Sequence, residues 1–122
     1  MDTRIKILSG PRILAGERLA VVTGHFDVLR AEHLHELAAA RRAVPHARLL
    51  VVVVRGSEPL LPLAARAELV AGVRMVDYVL TADDKDVDSL IATLRPALLA
   101  RLEFEDSGRV TRLKEHVHRR QE

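Results

Sequence analysis

The sequence predicts an α/β fold, an open parallel sheet of four to five strands with flanking helices, built as a single domain. Short apolar runs recur along the chain and are continuous rather than alternating, which is typical of strands covered on both faces. Helical patterns lie between these runs, and such alternation implies right-handed crossovers within one sheet. With 122 residues, 48% of them hydrophobic, the chain is long enough for one core and too short for two.

Four apolar runs predict the strands of this sheet. The second run is the most continuous, because Leu49 and Leu50 are followed by four consecutive valines. A run of this kind favours a central strand that is buried on both faces. The predicted strands cover residues 19–23, 49–54, 75–80 and 98–102.

Helices are predicted between and after these strands. In the first, Leu34, Leu37 and Ala38 recur at helical spacing, and the pattern stops before Pro45. The second opens at Pro62, since proline is well tolerated in the first turn of a helix. The predicted helices cover residues 31–42, 62–72, 86–94 and 108–120.

Composition excludes several classes of protein. The aromatic residues are Phe26, Tyr78 and Phe104, too few for the base-stacking platforms of single-stranded nucleic-acid binders. A net charge of +2 is close to balance, so nucleic acid is not an expected partner. The lack of cysteine excludes disulfides, zinc–thiolate sites and thiol catalysis. No segment is long and apolar enough for a signal peptide or a membrane span, so we expect a cytoplasmic protein without a membrane partner.

No metal site is predicted. Asp84, Asp86 and Asp88 begin like a calcium loop, but Ser89 and Arg95 stand where such a loop needs glycine and glutamate. Capping of a helix by acidic side chains explains these residues better.

The segment from Val21 to His33 is the candidate site. A buried strand runs into a glycine turn and then into a helix, and this layout aims backbone N–H groups and the helix dipole at an anion. The turn places Thr23, Gly24, Phe26 and Asp27 at the carboxyl end of the strand. We expect these four residues to bind a ligand there, although Gly24, Phe26 and Asp27 fit structural roles equally well, with Phe26 as a core anchor.

The same segment resembles the cytidylyltransferase-like nucleotidyltransferases. Gly24-x-Phe26-Asp27 matches that family, whose hallmark continues as His-x-Gly-His, whereas this chain has Arg30-Ala31-Glu32-His33 and keeps only the last histidine. The resemblance extends over roughly residues 4–98, through the lead-in to the first strand, a Pro-x-x-Pro-x-x-x-Arg-Ala-Glu helix start and the following strand. It is closest to the branch of heptose-phosphate adenylyltransferases and glycerol-3-phosphate cytidylyltransferases, and it implies a Rossmann-like single domain over residues 1–122 with a shortened C-terminal part.

The resemblance implies catalytic roles for Arg30 and His33. In the family, the two motif histidines hold the nucleotide phosphates and stabilise charge at the α-phosphate as pyrophosphate leaves. Arg30 can hold a phosphate as a bidentate partner, or it is a surface arginine at a helix start. Glu32 either places a negative charge where the family's phosphate would bind, or it caps the helix in a site that no longer binds phosphate. His25 is either a partial substitute for the lost imidazole or an ordinary loop histidine.

Other family elements are altered. Arg66 matches the arginine that reaches toward the nucleotide from the second helix, and the alternative is an exposed arginine paired with Glu68 or Asp77. The lysine-containing loop after the second strand is replaced by residues 55–58, which contain no lysine. Residues 100–106 stand in place of a Gly-Gly-Asp-Tyr-like loop, and the Ser/Thr-rich phosphate motif is absent.

These changes predict a catalytically impaired or inactive homologue that serves as a binding or assembly module. The alternative is an active nucleotidyltransferase that transfers a nucleotidyl group from CTP or ATP, with Mg²⁺, to a small phosphorylated alcohol or sugar. A further alternative is a subunit whose site is completed by a protein partner. We expect no other cofactor, and we expect a homodimer.

Overall fold

The computed structural model describes residues 2–104, in which strands and helices alternate. The strands and α-helices are β1 Leu19–Gly24, α1 Ala31–Ala43, β2 Arg48–Val54, α2 Leu63–Ala71, β3 Tyr78–Ala82, α3 Val87–Leu94 and β4 Leu98–Arg101. Short 3₁₀ helices lie at Thr3–Lys6, Pro11–Leu14 and Asp84–Asp86. The helix predicted over residues 108–120 lies outside the described residues.

All strand pairs are parallel, and the strand order is β3-β2-β1-β4. The chain moves outward from β1 through β2 to β3 and then crosses to the other side of β1 as β4. The order therefore reverses between β1 and β4, which makes the carboxyl ends of these two strands the topological switch point of the sheet. This arrangement confirms the predicted open parallel α/β fold, with four strands in the described part of the chain.

Two apolar layers cover the sheet. Alternate residues of a strand point to opposite faces, so Val22 packs with α1 and α2 on one face while Val21 packs with Leu94 of α3 on the other. The side chains of β2 from Leu49 to Val54 are almost fully buried, as predicted for a central strand. The amino-terminal segment also contributes, because Leu8 donates its N–H to the carbonyl of Val79 at 2.8 Å and covers the outer edge of β3.

Both boundaries of one predicted strand are wrong. The strand predicted over residues 75–80 begins only at Tyr78 and ends at Ala82. Asp77 explains the late start, because its carboxylate accepts hydrogen bonds from the Leu49 N–H and the Arg41 guanidinium, both at 2.8 Å. Val76 is buried in the core without belonging to a strand, so its apolar character reflects packing rather than strand pairing.

Candidate phosphate-type site at the carboxyl ends of the strands

A cavity of about 380 Å³ opens beyond the carboxyl ends of β1 and β2. The turn after β1, the start of α1 and the loop after β2 form its walls, as the sequence predicted. Its ionisable lining residues are His25, Asp27, Arg30, His33, Arg55, Glu58 and Arg66. Cationic and imidazole side chains outnumber carboxylates here, so the cavity suits an anionic group.

The turn after β1 is held by packing. Phe26 has a φ of +50°, in the left-handed region that residues other than glycine seldom adopt, and its ring is buried. A Cβ on Gly24 would lie 2.9 Å from the Phe26 ring and 3.3 Å from the Cβ of Leu102. Gly24 therefore permits the close approach of the ring and of β4, and Phe26 is the core anchor that the sequence suggested.

The Asp27 side chain holds the loop before α2 by hydrogen bonds. Its two carboxylate oxygens accept hydrogen bonds from the backbone N–H groups of Leu60, at 2.6 Å, and Leu61, at 2.8 Å. These two bonds hold the pKa of Asp27 below its usual value of 3.8. The carboxylate thus shapes one wall of the cavity.

The start of α1 fixes His33. The Nδ1 atom of His33 accepts a hydrogen bond from the backbone N–H of Arg30 at 2.9 Å, so in the neutral ring the proton is on Nε2. The ring is 94% buried and lies 5.4 Å from the Phe26 ring, centroid to centroid. Arg30 is more exposed, and its Nε lies 3.5 Å from a carboxylate oxygen of Glu32. The altered motif therefore brings a cation and an anion together at the helix start.

Arg66 has a different environment from either one considered in the sequence analysis. Its side chain is fully buried, and its guanidinium donates to the carbonyls of His25, Val54, Arg55 and Leu61 at 2.8 to 3.0 Å. Burial lowers the pKa of Arg66. The residue is not an exposed arginine paired with Glu68 or Asp77. It connects the turn after β1 to both ends of the loop that leads into α2.

The loop after β2, residues 55–58, is held by tight local contacts. Arg55 pairs with Asp83 at 2.6 Å, and the N–H of Gly56 donates to Asp84 at 2.8 Å. Gly56 has a φ of +78°, and a Cβ at this position would lie 3.2 Å from the His25 ring. The His25 imidazole therefore packs against this loop at the edge of the cavity.

Glu103 lies at the switch point between β1 and β4, next to the cavity rather than in its lining, and was not among the residues predicted from the sequence. It lies two residues after the end of β4, its side chain is only 9% exposed, and it accepts a hydrogen bond from the Thr23 hydroxyl at 2.5 Å. Arg101 contacts the other carboxylate oxygen through Nε at 3.0 Å and Nη2 at 2.9 Å, and it also pairs with Asp88 at 2.7 Å. The available signal was an acidic residue directly after the strand predicted over residues 98–102, and its significance depends on the pairing of β4 with β1.

Two further findings concern metals and membranes. Among residues 2–104, no group of three or more histidine, cysteine, aspartate or glutamate side chains is placed to hold a metal ion. Within the same residues, no helix has the length and apolar character needed to cross a membrane.

Comparison with known proteins identifies relatives. No family model matches the chain. The bifunctional protein HldE of Methylococcus capsulatus is 32% identical over 97 residues, which cover 71% of this chain and 20% of that protein. The HldE protein of Edwardsiella ictaluri is 34% identical over 95 residues, 70% of this chain and 20% of the relative. An FAD synthase of Methanoregula boonei is 33% identical over 88 residues, 67% of this chain and 58% of the synthase.

A solved structure has the same fold. The lipopolysaccharide core biosynthesis protein from Thermoplasma volcanium superposes with a TM-score of 0.61 at 23% identity, over 69% of this chain and 73% of that one. The chain spans one fifth of the HldE proteins and less than two thirds of the FAD synthase.

Proposed function

We propose, since the chain belongs to the cytidylyltransferase-like nucleotidyltransferase family, that it is a member with a degraded phosphate site and impaired or absent catalysis. It acts as a binding or assembly module. The observation that carries this proposal is the buried Glu103 carboxylate, bonded to Thr23 where β1 and β4 end.

The charge at this position opposes a phosphate. Ligands of open α/β sheets bind at the switch point, and Glu103 places a carboxylate there. At a separation of about 4 Å and an effective dielectric of about 20, two negative charges repel by about 4 kcal/mol. For a carboxylate without a countercharge, that repulsion corresponds to about a thousandfold loss of affinity. Arg101 offsets part of this charge, and its guanidinium is then engaged by Glu103 and Asp88.

Two other residues support the same proposal. The Arg66 guanidinium is engaged by four backbone carbonyls, so its role is to position the loops around the cavity. Glu32 adds an exposed carboxylate in the first turn of α1, where the family motif has glycine. A rate enhancement needs donors aimed at developing charge, and losing one donor typically costs about 10²–10³ in rate.

The test uses the unmodified protein. CTP and ATP, each with Mg²⁺, are titrated by calorimetry and by thermal shift, and pyrophosphate release is followed with glycerol 3-phosphate and sugar phosphates as acceptors. We expect no saturable response below millimolar nucleotide and no turnover. A ligand at a hundred times its Kd stabilises a protein by about 2.7 kcal/mol, so binding in this range is readily detected. Turnover by the unmodified protein would overturn the proposal.

The cavity favours a second candidate, an active nucleotidyltransferase. In that case Arg30 and His33 contact the phosphates of CTP or ATP, and Mg²⁺ enters on the triphosphate, because the described side chains form no metal site. Binding that weakens in both Arg30→Ala and His33→Ala, together with turnover, supports this candidate. Binding that is insensitive to both variants places the nucleotide elsewhere.

The assembly role is supported by apolar side chains beside the cavity. Val28 is 55% exposed and Leu60 is 79% exposed, and the two belong to the turn and the loop that Asp27 joins. A partner that covers them also closes the cavity from solvent. Co-purification with a larger protein tests whether the site is completed by another chain.

A further inference from the structure

We propose that Thr23 and Arg101 form an oxyanion site at the carboxyl ends of β1 and β4, and that the chain occupies this site itself with the carboxylate of Glu103. The ligand class that this site would take, once Glu103 is removed, is a phosphate group. The inference rests on the proposed function, because it explains the loss of phosphate binding as occupation by an internal anion rather than as loss of the donors.

The contacts of Glu103 are those of a bound anion. One carboxylate oxygen accepts from the Thr23 hydroxyl at 2.5 Å, and the other accepts from Nε and Nη2 of Arg101 at 3.0 and 2.9 Å. Each oxygen therefore has a donor from a different strand. The carboxylate is almost enclosed, with 9% of the side chain exposed.

The donors are held in place by contacts that do not involve Glu103. Thr23 lies opposite Arg101 in the β1–β4 register, and the N–H of Leu102 donates to the carbonyl of Thr23 at 2.7 Å. Arg101 also pairs with Asp88 at 2.7 Å and lies 4.8 Å from the centroid of the Phe104 ring. Removal of the Glu103 side chain therefore leaves both donors assembled.

The donor chemistry suits phosphate. A guanidinium presents parallel N–H groups that bind carboxylate and phosphate alike, and a threonine hydroxyl adds a further donor. The site also lies at the switch point, where open α/β sheets bind their ligands. An internal carboxylate at this point blocks an external anion both by its volume and by its charge.

The experiment measures whether an anion site appears in Glu103→Ala. Inorganic phosphate, pyrophosphate, acetate and CTP or ATP with Mg²⁺ are titrated into the unmodified protein and into the variant by calorimetry and thermal shift. We expect phosphate to bind Glu103→Ala about tenfold or more tighter than it binds the unmodified protein. A Glu103→Ala/Arg101→Met double variant should lose this gain.

Two control variants distinguish the effect of removing the volume of the Glu103 side chain from the effect of removing its charge. Glu103→Gln removes the same charge but leaves the site filled, so it should not gain phosphate binding. Asp2→Ala removes a carboxylate that also pairs with an arginine, Arg4, at the exposed amino terminus, and it should not respond either. Phosphate stabilises proteins generally by exclusion from their surface, so the response of Glu103→Gln is subtracted.

The outcomes decide the proposal. Saturable phosphate binding by Glu103→Ala, and not by the parent or Glu103→Gln, supports it. The titrations with CTP and ATP show whether a triphosphate enters the same site. The proposal would be overturned if Glu103→Ala showed no increase in phosphate affinity, or if Glu103→Gln showed an equal increase. It would also be overturned if acetate stabilised Glu103→Ala while phosphate did not bind.

If Glu103→Ala is unfolded in buffer, refolding is followed by circular dichroism. Refolding that saturates at low millimolar phosphate supports the proposal, because exclusion from the surface acts only at much higher concentration. Refolding that needs molar phosphate, or that a neutral osmolyte produces equally well, contradicts it.

The failures of the two proposals are distinguishable. Turnover by the unmodified protein would overturn the proposed function whatever the Glu103 variants do. An inactive parent together with a phosphate-insensitive Glu103→Ala would leave the proposed function standing and remove only this inference.

Discussion

At the scale of residues, the polar side chains around the cavity act mainly on the backbone of the protein itself. Asp27 accepts from two N–H groups, His33 accepts from the start of its own helix, and Arg66 donates to four carbonyls. Arginine and histidine bind phosphates in many proteins, but Arg66 and His33 are here components of the loop architecture. Their removal should therefore alter stability as well as binding.

Replacement of Arg66 should be strongly destabilising. Arg66→Met leaves buried carbonyls without donors, so we expect the free energy of unfolding to fall by about 2–5 kcal/mol. Arg66→Lys should lie between the parent and Arg66→Met, because a single ammonium cannot reach all the carbonyls. Urea denaturation measures both changes, with Arg42→Met as an exposed control on α1. Equal stability of Arg66→Met and the parent would exclude this role.

Asp27 should make stability depend on pH. Because its pKa is lowered on folding, its contribution is present above its ordinary value of 3.8 and is lost as the pH falls through the lower folded value. Asp27→Asn should therefore be less stable than the parent at about pH 6, and the difference should shrink at pH values below 3.8. Thermal melts of both proteins across this range test the prediction. Other acids titrate in both proteins and cancel in the difference, so a constant difference would contradict it.

At the scale of elements, the site depends on how β1, its turn, α1 and β4 meet. Gly24 lets the Phe26 ring and Leu102 approach the end of β1, and the β1–β4 register brings Thr23 beside Arg101. The start of α1 then presents Arg30, although this motif no longer has the family's histidine and glycine. These elements bring residues from separate parts of the chain to one end of the sheet.

Gly24→Ala tests the contact between β1 and its turn. The new Cβ would lie 2.9 Å from the Phe26 ring, so the ring must shift, and we expect a loss of about 1–3 kcal/mol in the free energy of unfolding. Gly10→Ala is the matched control, since its Cβ would have no neighbour within 4 Å. Chemical denaturation compares the two variants. An equal effect would show that the close approach at Gly24 has no energetic importance.

The altered helix motif can be restored to the family pattern. Arg30→His with Glu32→Gly removes a carboxylate that would repel a phosphate at the start of α1. The double variant should therefore bind CTP or ATP more tightly than the parent, although the glycine lowers the stability of the helix by about 1 kcal/mol. It should still release no pyrophosphate, because residues 55–58 contain no lysine and Glu103 is unchanged. Calorimetry and a coupled pyrophosphate assay measure both effects. Robust turnover would show that positions 30 and 32 were the only defects.

At the scale of the whole molecule, a small parallel sheet is covered by α1 and α2 on one face and by α3 with the amino-terminal segment on the other. The exposed large apolar side chains include Val28 and Leu60 beside the cavity. Such side chains near a ligand cavity favour association with a second copy or with another protein.

We predict a homodimer that buries this apolar region. Light scattering at tens of micromolar protein should give twice the mass of the chain, and Leu60→Ser should shift the equilibrium toward monomer. Ile5→Ser is the control, because Ile5 is similarly exposed, at 71%, but lies in the first 3₁₀ helix. A monomeric parent at this concentration would contradict the prediction.

The sequence by itself determined the fold class, the order of the elements, the family and the position of the cavity. The family was indicated by the resemblance of the motifs, whereas the other properties follow from local patterns: continuous apolar runs for buried strands, proline at helix boundaries, and a glycine turn between β1 and α1. The start of β3 was misplaced because Val76 is apolar for packing, while Asp77 beside it is bonded to Arg41 and Leu49, far away in the sequence.

Only the tertiary structure decided what the polar residues of the site contact. Thr23 and Glu103 are 80 residues apart, and they meet because β4 pairs with β1. Arg66 reaches carbonyls from three separate segments, and no spacing in the sequence predicts such a set of acceptors. These hydrogen bonds depend on atoms that the packing of distant strands brings within about 3 Å of each other. Hydrophobic periodicity, in contrast, is a property of residues that are neighbours in the sequence, so it can be recognised without the structure.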